Sequence, residues 1–77
     1  MLPAVASAQP KRRFGANVRR HRLRLDLSQE ALGFKCNLHP TEISRLERAE
    51  REPRLGTIVA IARGLDITPS ELLEGIN

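Results

Sequence analysis

The sequence has a single cysteine, Cys36, and only two histidines, His21 and His39. Metal sites built from these residue types need several ligands at paired, short spacings, and no such spacing occurs here. We therefore expect no metal site. His21 lies on the same helical face as Phe14 and Val18, and we interpret it as a partly buried or edge residue rather than a ligand.

Long apolar runs are also missing, since no stretch approaches the roughly 18 apolar residues of a membrane-spanning helix. The first ten residues do not resemble a secretion signal, because no basic residue precedes their apolar part and Pro3 and Ser7 interrupt it. We expect residues 1–10 to be a disordered lead-in. The protein is expected to be cytoplasmic, with no membrane partner, and there the lone thiol of Cys36 would stay reduced.

The residue sets typical of enzymes are absent: there is no Ser/His/Asp set, carboxylate pair or phosphate-binding glycine loop. About 60 ordered residues would also leave little room for a substrate pocket. We predict a non-enzyme without a cofactor or a small-molecule ligand. No alternating strand pattern or internal repeat is present, so residues 11–77 are predicted to form one all-α domain. A domain near this size buries only about 60% of its extended surface, so self-association would help its stability.

Positive charge is concentrated towards the N-terminus of the chain. The net charge is +4, and seven basic residues precede the first acidic residue, Asp26. These residues are Lys11, Arg12, Arg13, Arg19, Arg20, Arg22 and Arg24. Such a run is typical either of a solvated helix face or of a surface that contacts a polyanion, since phosphate contacts supply most non-specific affinity for nucleic acid.

The segment from Leu27 to Pro53 has the signals of two short helices joined by a tight turn. Ser28 can cap the first helix, and Glu30 suits its first turn, where the helix dipole favours a carboxylate. Asn37 tolerates the left-handed conformation that ends a helix. Pro40 suits the first position of the second helix. The outer side chains of this second helix are polar and can hydrogen-bond to base edges.

This segment resembles the helix-turn-helix of the lambda-repressor-like regulators, a bacterial and phage family that includes Cro proteins and restriction-modification controller proteins. The matching residues are Leu27, Ser28, Gln29, Glu30, Leu32, Lys35, Ile43, Ser44, Arg45, Glu47, Arg48 and Pro53. Asn37, His39 and Ala49 depart from the family pattern, and His39 stands where Ser, Thr or Asp normally caps the recognition helix. The resemblance covers about residues 12–74 and implies the five-helix domain of the family. Cys36 stands where the family usually has leucine, which implies a small core residue.

The sequence also has signals for the remaining helices. Helix one is expected over residues 12–24, with Gly15 at a close-packing point. Helix four is expected from Thr57 to Leu65. A capping box of Thr68 and Glu71 predicts a fifth helix that runs to about Glu74.

The resemblance implies double-stranded DNA as the partner, with the recognition helix, residues 40–48, in the major groove. Base contacts are expected from Thr41, Glu42, Ser44 and Arg45. Arg45 could read guanine through O6 and N7, whereas Glu42 could either accept from cytosine or cap its own helix. Phosphate contacts are expected from Gln29, Arg22, Arg48, Arg51 and Arg54. An ion pair between Arg22 and Glu47 is expected to join helix one to the recognition helix.

The resemblance therefore implies a transcriptional regulator, most often a repressor, that binds an inverted-repeat operator as a homodimer. Leu55, Leu72 and Ile76 are the candidate dimer-interface residues at the C-terminal end. An alternative from another class is an antitoxin or adaptor module that uses the same fold mainly to bind protein.

Overall fold

The structure, a computed structural model, describes residues 9–77, and this part of the chain forms five helices and no strand. They are α1 Gln9–Arg24, α2 Gln29–Cys36, α3 Pro40–Glu47, α4 Leu55–Gly64 and α5 Pro69–Leu72. α3 packs against both α1 and α2, α4 packs on α2, and α5 lies between α4 and α1. The predicted all-α class and the five helices are confirmed.

Helix starts follow the capping signals closely. The hydroxyl of Ser28 accepts a hydrogen bond from the backbone N–H of Ala31 at 2.9 Å. The hydroxyl of Thr68 accepts from the N–H of Glu71 at 3.0 Å, and the carboxylate of Glu71 accepts from the N–H of Thr68 at 2.9 Å. The carboxylate of Glu71 also accepts from the hydroxyl of Thr68 at 3.2 Å, and the backbone and hydroxyl hydrogen bonds that it accepts lower the pKa of Glu71, the backbone one most strongly. Both caps satisfy N–H groups that have no partner inside the helix.

Three helix boundaries differ by two or more residues from their predicted positions. α1 begins at Gln9, so residues 9 and 10 are helical and only residues 1–8 of the predicted lead-in lie outside the described residues. Pro10 is tolerated because the first helical turn does not use its missing N–H. α4 begins at Leu55 rather than residue 57, without a side-chain cap at Arg54. α5 ends at Leu72, before the predicted residue 74.

α1 to α4 all end with the same backbone motif. The residue that follows each C-terminal turn has a positive φ near 60°, and none of these four residues is glycine: they are Asp26, Asn37, Ala49 and Asp66. In each case the next residue's N–H donates back to a carbonyl five positions earlier, as Leu38 does to Gly33 at 2.8 Å. This is the Schellman motif, which satisfies carbonyls that the helix itself leaves open.

The core lies where the five helices meet. It consists of Phe14, Val18, Leu32, Cys36, Ile43, Leu46, Ile61, Ala62, Leu65 and Leu72. Gly15 allows α1 to lie against the end of α3, because a Cβ there would collide with the carbonyls of Leu46 and Glu47. Gly33 faces the turn rather than another helix, since a Cβ there would lie 2.5 Å from the carbonyl oxygen of Leu38. None of the helices in residues 9–77 is long and apolar enough to cross a bilayer.

Asn17 joins α1 to the C-terminal segment. It is 1% exposed, and its side-chain Nδ2 donates to the carbonyl oxygens of Leu72 at 2.8 Å and Glu74 at 2.9 Å. Its Oδ1 accepts from the guanidinium of Arg20 at 3.1 Å. Asn17 therefore satisfies carbonyls at the end of α5 and holds the chain that follows it onto α1.

Replacing Asn17 with Asp should strongly destabilise the fold. The carboxylate would face two carbonyl oxygens without a donor between them, so we expect Asn17→Asp to lower the free energy of unfolding by about 3 kcal/mol. Urea unfolding measures this loss. The exposed neighbour Ala16 gives the control, since Ala16→Asp should cost only about 0.5 kcal/mol. Equal losses in the two variants would contradict the role assigned to Asn17.

His21 is buried in α1, at 5% exposure, and neither of its ring nitrogens has a hydrogen-bond partner within residues 9–77. Burial is the largest cause that lowers the pKa of His21 from its ordinary value of 6.5, followed by Arg24 and Arg20. The carboxylates of Glu71 and Glu74 act in the opposite direction. The folded protein therefore binds a proton at His21 less readily than the unfolded chain does.

Stability should consequently fall as the pH drops from 7 to 5. Because the pKa of His21 is lower in the folded protein than in the unfolded chain, protonation of His21 favours the unfolded chain. The stability is therefore complete above the unfolded pKa, near 6.5, and decreases as the pH falls from there through the folded pKa. Melting temperatures measured across this range should decrease for the native chain and stay nearly constant for His21→Phe. The same decrease in both proteins would show that another group is responsible.

Candidate nucleic-acid interface

α2, α3 and the residues between them form a helix-turn-helix. Asn37 adopts the left-handed conformation at φ 60°, and the chain passes through Leu38 and His39 into α3. The Nδ1 atom of His39 accepts from the N–H of Thr41 at 3.1 Å, so histidine does serve as the cap of α3. The start of α3 at Pro40 agrees with the predicted position.

α3 buries one side and presents the opposite side outwards. Ile43 and Leu46 are 0% exposed, whereas Thr41 and Arg45 are exposed and Ser44 is half-buried. The structure therefore brings three of the four predicted base-contacting side chains to one surface. Arg45 has no ion-pair partner within residues 9–77, so its guanidinium can donate to a ligand.

Glu42 lies at the edge of this surface, and its carboxylate is already paired. Its Oε1 atom is 3.6 Å from Nη1 of Arg51, in the segment after α3. Within the described residues it does not accept from the backbone of His39, so the alternative in which Glu42 caps its own helix is wrong. The physical reason is that the cation of Arg51 attracts the carboxylate away from the start of α3.

The cations after the recognition helix lie on the surface. Arg48 is exposed, donates from Nε to the carbonyl of Ser44 at 3.3 Å and pairs with Glu50 at 3.3 Å. Arg51 and Arg54 are exposed as well. Exposed pairs of this kind contribute little stability and break easily. All three guanidinium groups can therefore turn towards an anion that approaches α3.

Arg22 and Glu47 form a buried ion pair between α1 and the last residue of α3. Nε of Arg22 lies 2.6 Å from Oε2 of Glu47, and Nη2 lies 2.9 Å from Oε1. The two side chains are 8% and 4% exposed. The hydrogen bond to Glu47 is the main reason that the pKa of Arg22 is raised. Because Arg22 is enclosed in this way, its role is structural first.

Gln29 belongs to the same cluster, a link that the sequence reasoning missed. Nε2 of Gln29 donates to Oε1 of Glu47 at 3.0 Å. The two residues are 18 positions apart, and no local sequence signal connects a glutamine at a helix start with a glutamate at the end of the next helix. The Gln29 side chain, expected to bind phosphate, is thus held by the residue that pairs with Arg22.

Two of the three candidate dimer residues are accessible and one is not. Leu55, at the start of α4, is 78% exposed, and Ile76 is half-buried. Leu72 is 0% exposed and belongs to the core, so its side chain cannot contact a second chain and that expectation is wrong. The reason is that Asn17 draws the end of α5 onto α1 and turns Leu72 inwards.

No group of three or more metal-ligating side chains occurs within residues 9–77. Cys36 lies in the core, and burial is the main reason that the pKa of its thiol is raised. A buried, protonated thiol is a poor metal ligand and a poor nucleophile. Cys36 therefore acts as a small core side chain, as predicted.

The comparisons with known proteins agree with this geometry. The family model described as helix-turn-helix matches residues 18–72. The control protein C.BamHI of Bacillus amyloliquefaciens is 44% identical over 62 residues, which cover 79% of this chain and 76% of that protein. The chain is also similar in structure to the restriction-modification controller protein C.AhdI from Aeromonas hydrophila, with a TM-score of 0.79 and 37% identity over 80% of this chain and 94% of the other.

A third similar protein is the c2 repressor of Salmonella phage P22. Its crystal structure in complex with a synthetic operator matches with a TM-score of 0.74 and 34% identity, over 80% of this chain and 94% of that chain. This chain spans 28% of the length of the curated P22 repressor.

Removing the carboxylate of Glu47 should make the domain easier to unfold. Glu47→Ala leaves the buried guanidinium of Arg22 unpaired, which should lower the free energy of unfolding by about 3 kcal/mol. Thermal or urea unfolding measures the loss. Glu50→Ala removes an exposed carboxylate near α3 and should cost at most about 0.5 kcal/mol. A Glu47→Ala protein as stable as the Glu50→Ala protein would refute the structural role of the pair.

Proposed function

This chain belongs to the helix-turn-helix family of DNA-binding transcription regulators, and we propose that it is a repressor that binds an inverted-repeat operator as a homodimer, with α3 in the major groove. The observation that carries the proposal is the outer surface of α3. There Thr41, Ser44 and Arg45 lie together, opposite the buried Ile43 and Leu46. A helix with this arrangement fits the major groove and can read base edges.

Arg45 is the main candidate for sequence reading. A guanidinium can donate two parallel hydrogen bonds to O6 and N7 of guanine, a pattern that no other base pair presents in the same way. Thr41 can contact either a base edge or the methyl group of thymine. Glu42 is paired with Arg51 at 3.6 Å, so it would accept a hydrogen bond from cytosine only if this ion pair breaks or leaves room for the base. Of the four candidate residues, we assign Glu42 the smallest contribution to base recognition.

Phosphate contacts would surround this reading surface. The start of α2 presents backbone N–H groups and the side chain of Gln29, which suits an anion. Arg48, Arg51 and Arg54 follow the recognition helix, and all three are exposed. Arg22 is enclosed by Glu47, so we assign it no more than a secondary phosphate contact. These contacts would fix the register of the protein on the duplex, because phosphates carry no sequence information themselves.

The repressor and dimer assignments have separate support. The P22 repressor is described in complex with an operator, and C.BamHI and C.AhdI are control proteins, so similarity favours an operator-binding regulator. One recognition helix covers only a few base pairs. Two copies related by a two-fold axis would read half-sites about 34 Å apart, which gives useful specificity. Leu55 and Ile76 remain our candidates for the contact between copies.

Selection of binding sites from random DNA duplexes tests the proposal. We expect a palindromic consensus whose half-site centres are about 10 base pairs apart. The same selection with Arg45→Ala should lose the preference at one base pair of each half-site, and specific affinity should fall by about 1–3 kcal/mol with the melting temperature unchanged.

Two other outcomes would contradict the proposal in different ways. Binding that is uniformly salt-sensitive and yields no consensus would mean that only the basic surface contacts DNA. A chain that selects no duplex but co-purifies with one tight protein partner would favour the antitoxin or adaptor alternative. Sedimentation at micromolar concentration separately tests the dimer.

A further inference from the structure

The carboxylate of Glu47 fixes the orientation of the Gln29 side chain. Oε1 of Glu47 accepts from both Nη2 of Arg22 at 2.9 Å and Nε2 of Gln29 at 3.0 Å. A carboxylate only accepts hydrogen bonds, so Gln29 must present its NH₂ group to Glu47 and its oxygen elsewhere. The side chain of Glu47 is 4% exposed, which makes this a fixed, buried partner rather than a surface contact.

The same ion pair holds the backbone just before α2. Nη1 of Arg22 donates to the carbonyl of Leu27 at 2.9 Å, and the N–H of Leu27 donates to the carbonyl of Arg22 at 3.1 Å. Leu27 precedes Ser28, the cap of α2. Residues 27–29 are therefore fixed on one side through Arg22 and on the other through Glu47.

We infer that Glu47 is a positioning residue for a phosphate contact made by Gln29, an inference that rests on the proposed function. The amide nitrogen of Gln29 carries two hydrogens, and Glu47 accepts only one of them. The second hydrogen points away from the buried carboxylate and can donate to a phosphate oxygen. Glu47 is enclosed and does not touch the DNA. It acts through Gln29 and through the start of α2.

A positioning role and a purely structural role of Glu47 predict different losses of DNA affinity in variants. If the bond between Gln29 and Glu47 only stabilised the fold, its loss would change the melting temperature and leave the affinity of the folded protein unchanged. If Glu47 positions Gln29, removing either partner costs the same phosphate contact, so the two losses are not independent. A double-mutant cycle on operator binding separates the two cases.

The cycle uses Gln29→Met, which keeps the length of the side chain and removes its donors, and Glu47→Gln, with binding measured well below the melting temperature. Gln29→Met should weaken operator binding about tenfold. Ethylation of the phosphate that Gln29 contacts, one per half-site, should interfere with binding of the native protein but not with binding of Gln29→Met. Ethylation of the same phosphate should also not interfere with binding of Glu47→Gln. The double variant should bind no more weakly than the weaker single variant. Glu74→Gln, which removes an exposed carboxylate 3.7 Å from Arg20, is the control with native affinity.

A measurement on the free native protein does not depend on whether Glu47→Gln folds. In NMR spectra one side-chain amide proton of Gln29 should exchange with water more slowly than those of the exposed Asn37. Equal exchange rates would overturn the inference. The native chain could select an operator while the two single-variant losses in affinity multiply in the double variant. That result would overturn the inference and leave the proposed function intact. A native chain that selects no duplex would overturn the proposed function and this inference with it.

Discussion

One buried carboxylate, that of Glu47, determines how the three N-terminal helices meet. Taking a carboxylate out of water is costly unless all of its hydrogen bonds are satisfied, and removing one partner of such a pair leaves the other buried without compensation. Glu47 accepts two hydrogen bonds from Arg22 and one from Gln29. These residues come from the end of α3, from α1 and from the start of α2. The cluster therefore ties the end of α3 to both of the helices that it packs against.

An apolar cluster of the same size would avoid the cost of burying charge, but its contacts would depend less on direction than those of the ion pair. The planar guanidinium of Arg22 matches the carboxylate in a two-pronged geometry that allows one arrangement. Gly15 supports it by letting α1 approach the backbone at the end of α3. The close approach and the directional pair act together to position α3 against the start of α2.

Local signals explain which parts of the structure were predictable from the sequence. Ser28, Asn37, Pro40 and the pair Thr68 and Glu71 act within a few residues of a helix end, and the structure has them in these roles. Helix starts without such a signal, as at Gln9, were placed wrongly. Asn17 was missed because its partners lie 55 and 57 positions away, and Gln29 because its partner lies 18 positions away. Such contacts depend on packing, which sequence periodicity does not specify.

The end of α3 differs from the other helix ends in a way that suits the segment after it. In the Schellman motifs that end α1, α2 and α4, the residue whose N–H donates back to the helix is apolar and packs against the core. These residues are Leu27, Leu38 and Ile67. After α3 the corresponding residue is Glu50, which is exposed, and Ala49 holds a positive φ that costs about 1 kcal/mol relative to glycine. No apolar side chain anchors the motif there. Since only exposed or partly exposed ion pairs hold Arg48 and Arg51, these cations can reorient towards an anion without disturbing the buried side of α3.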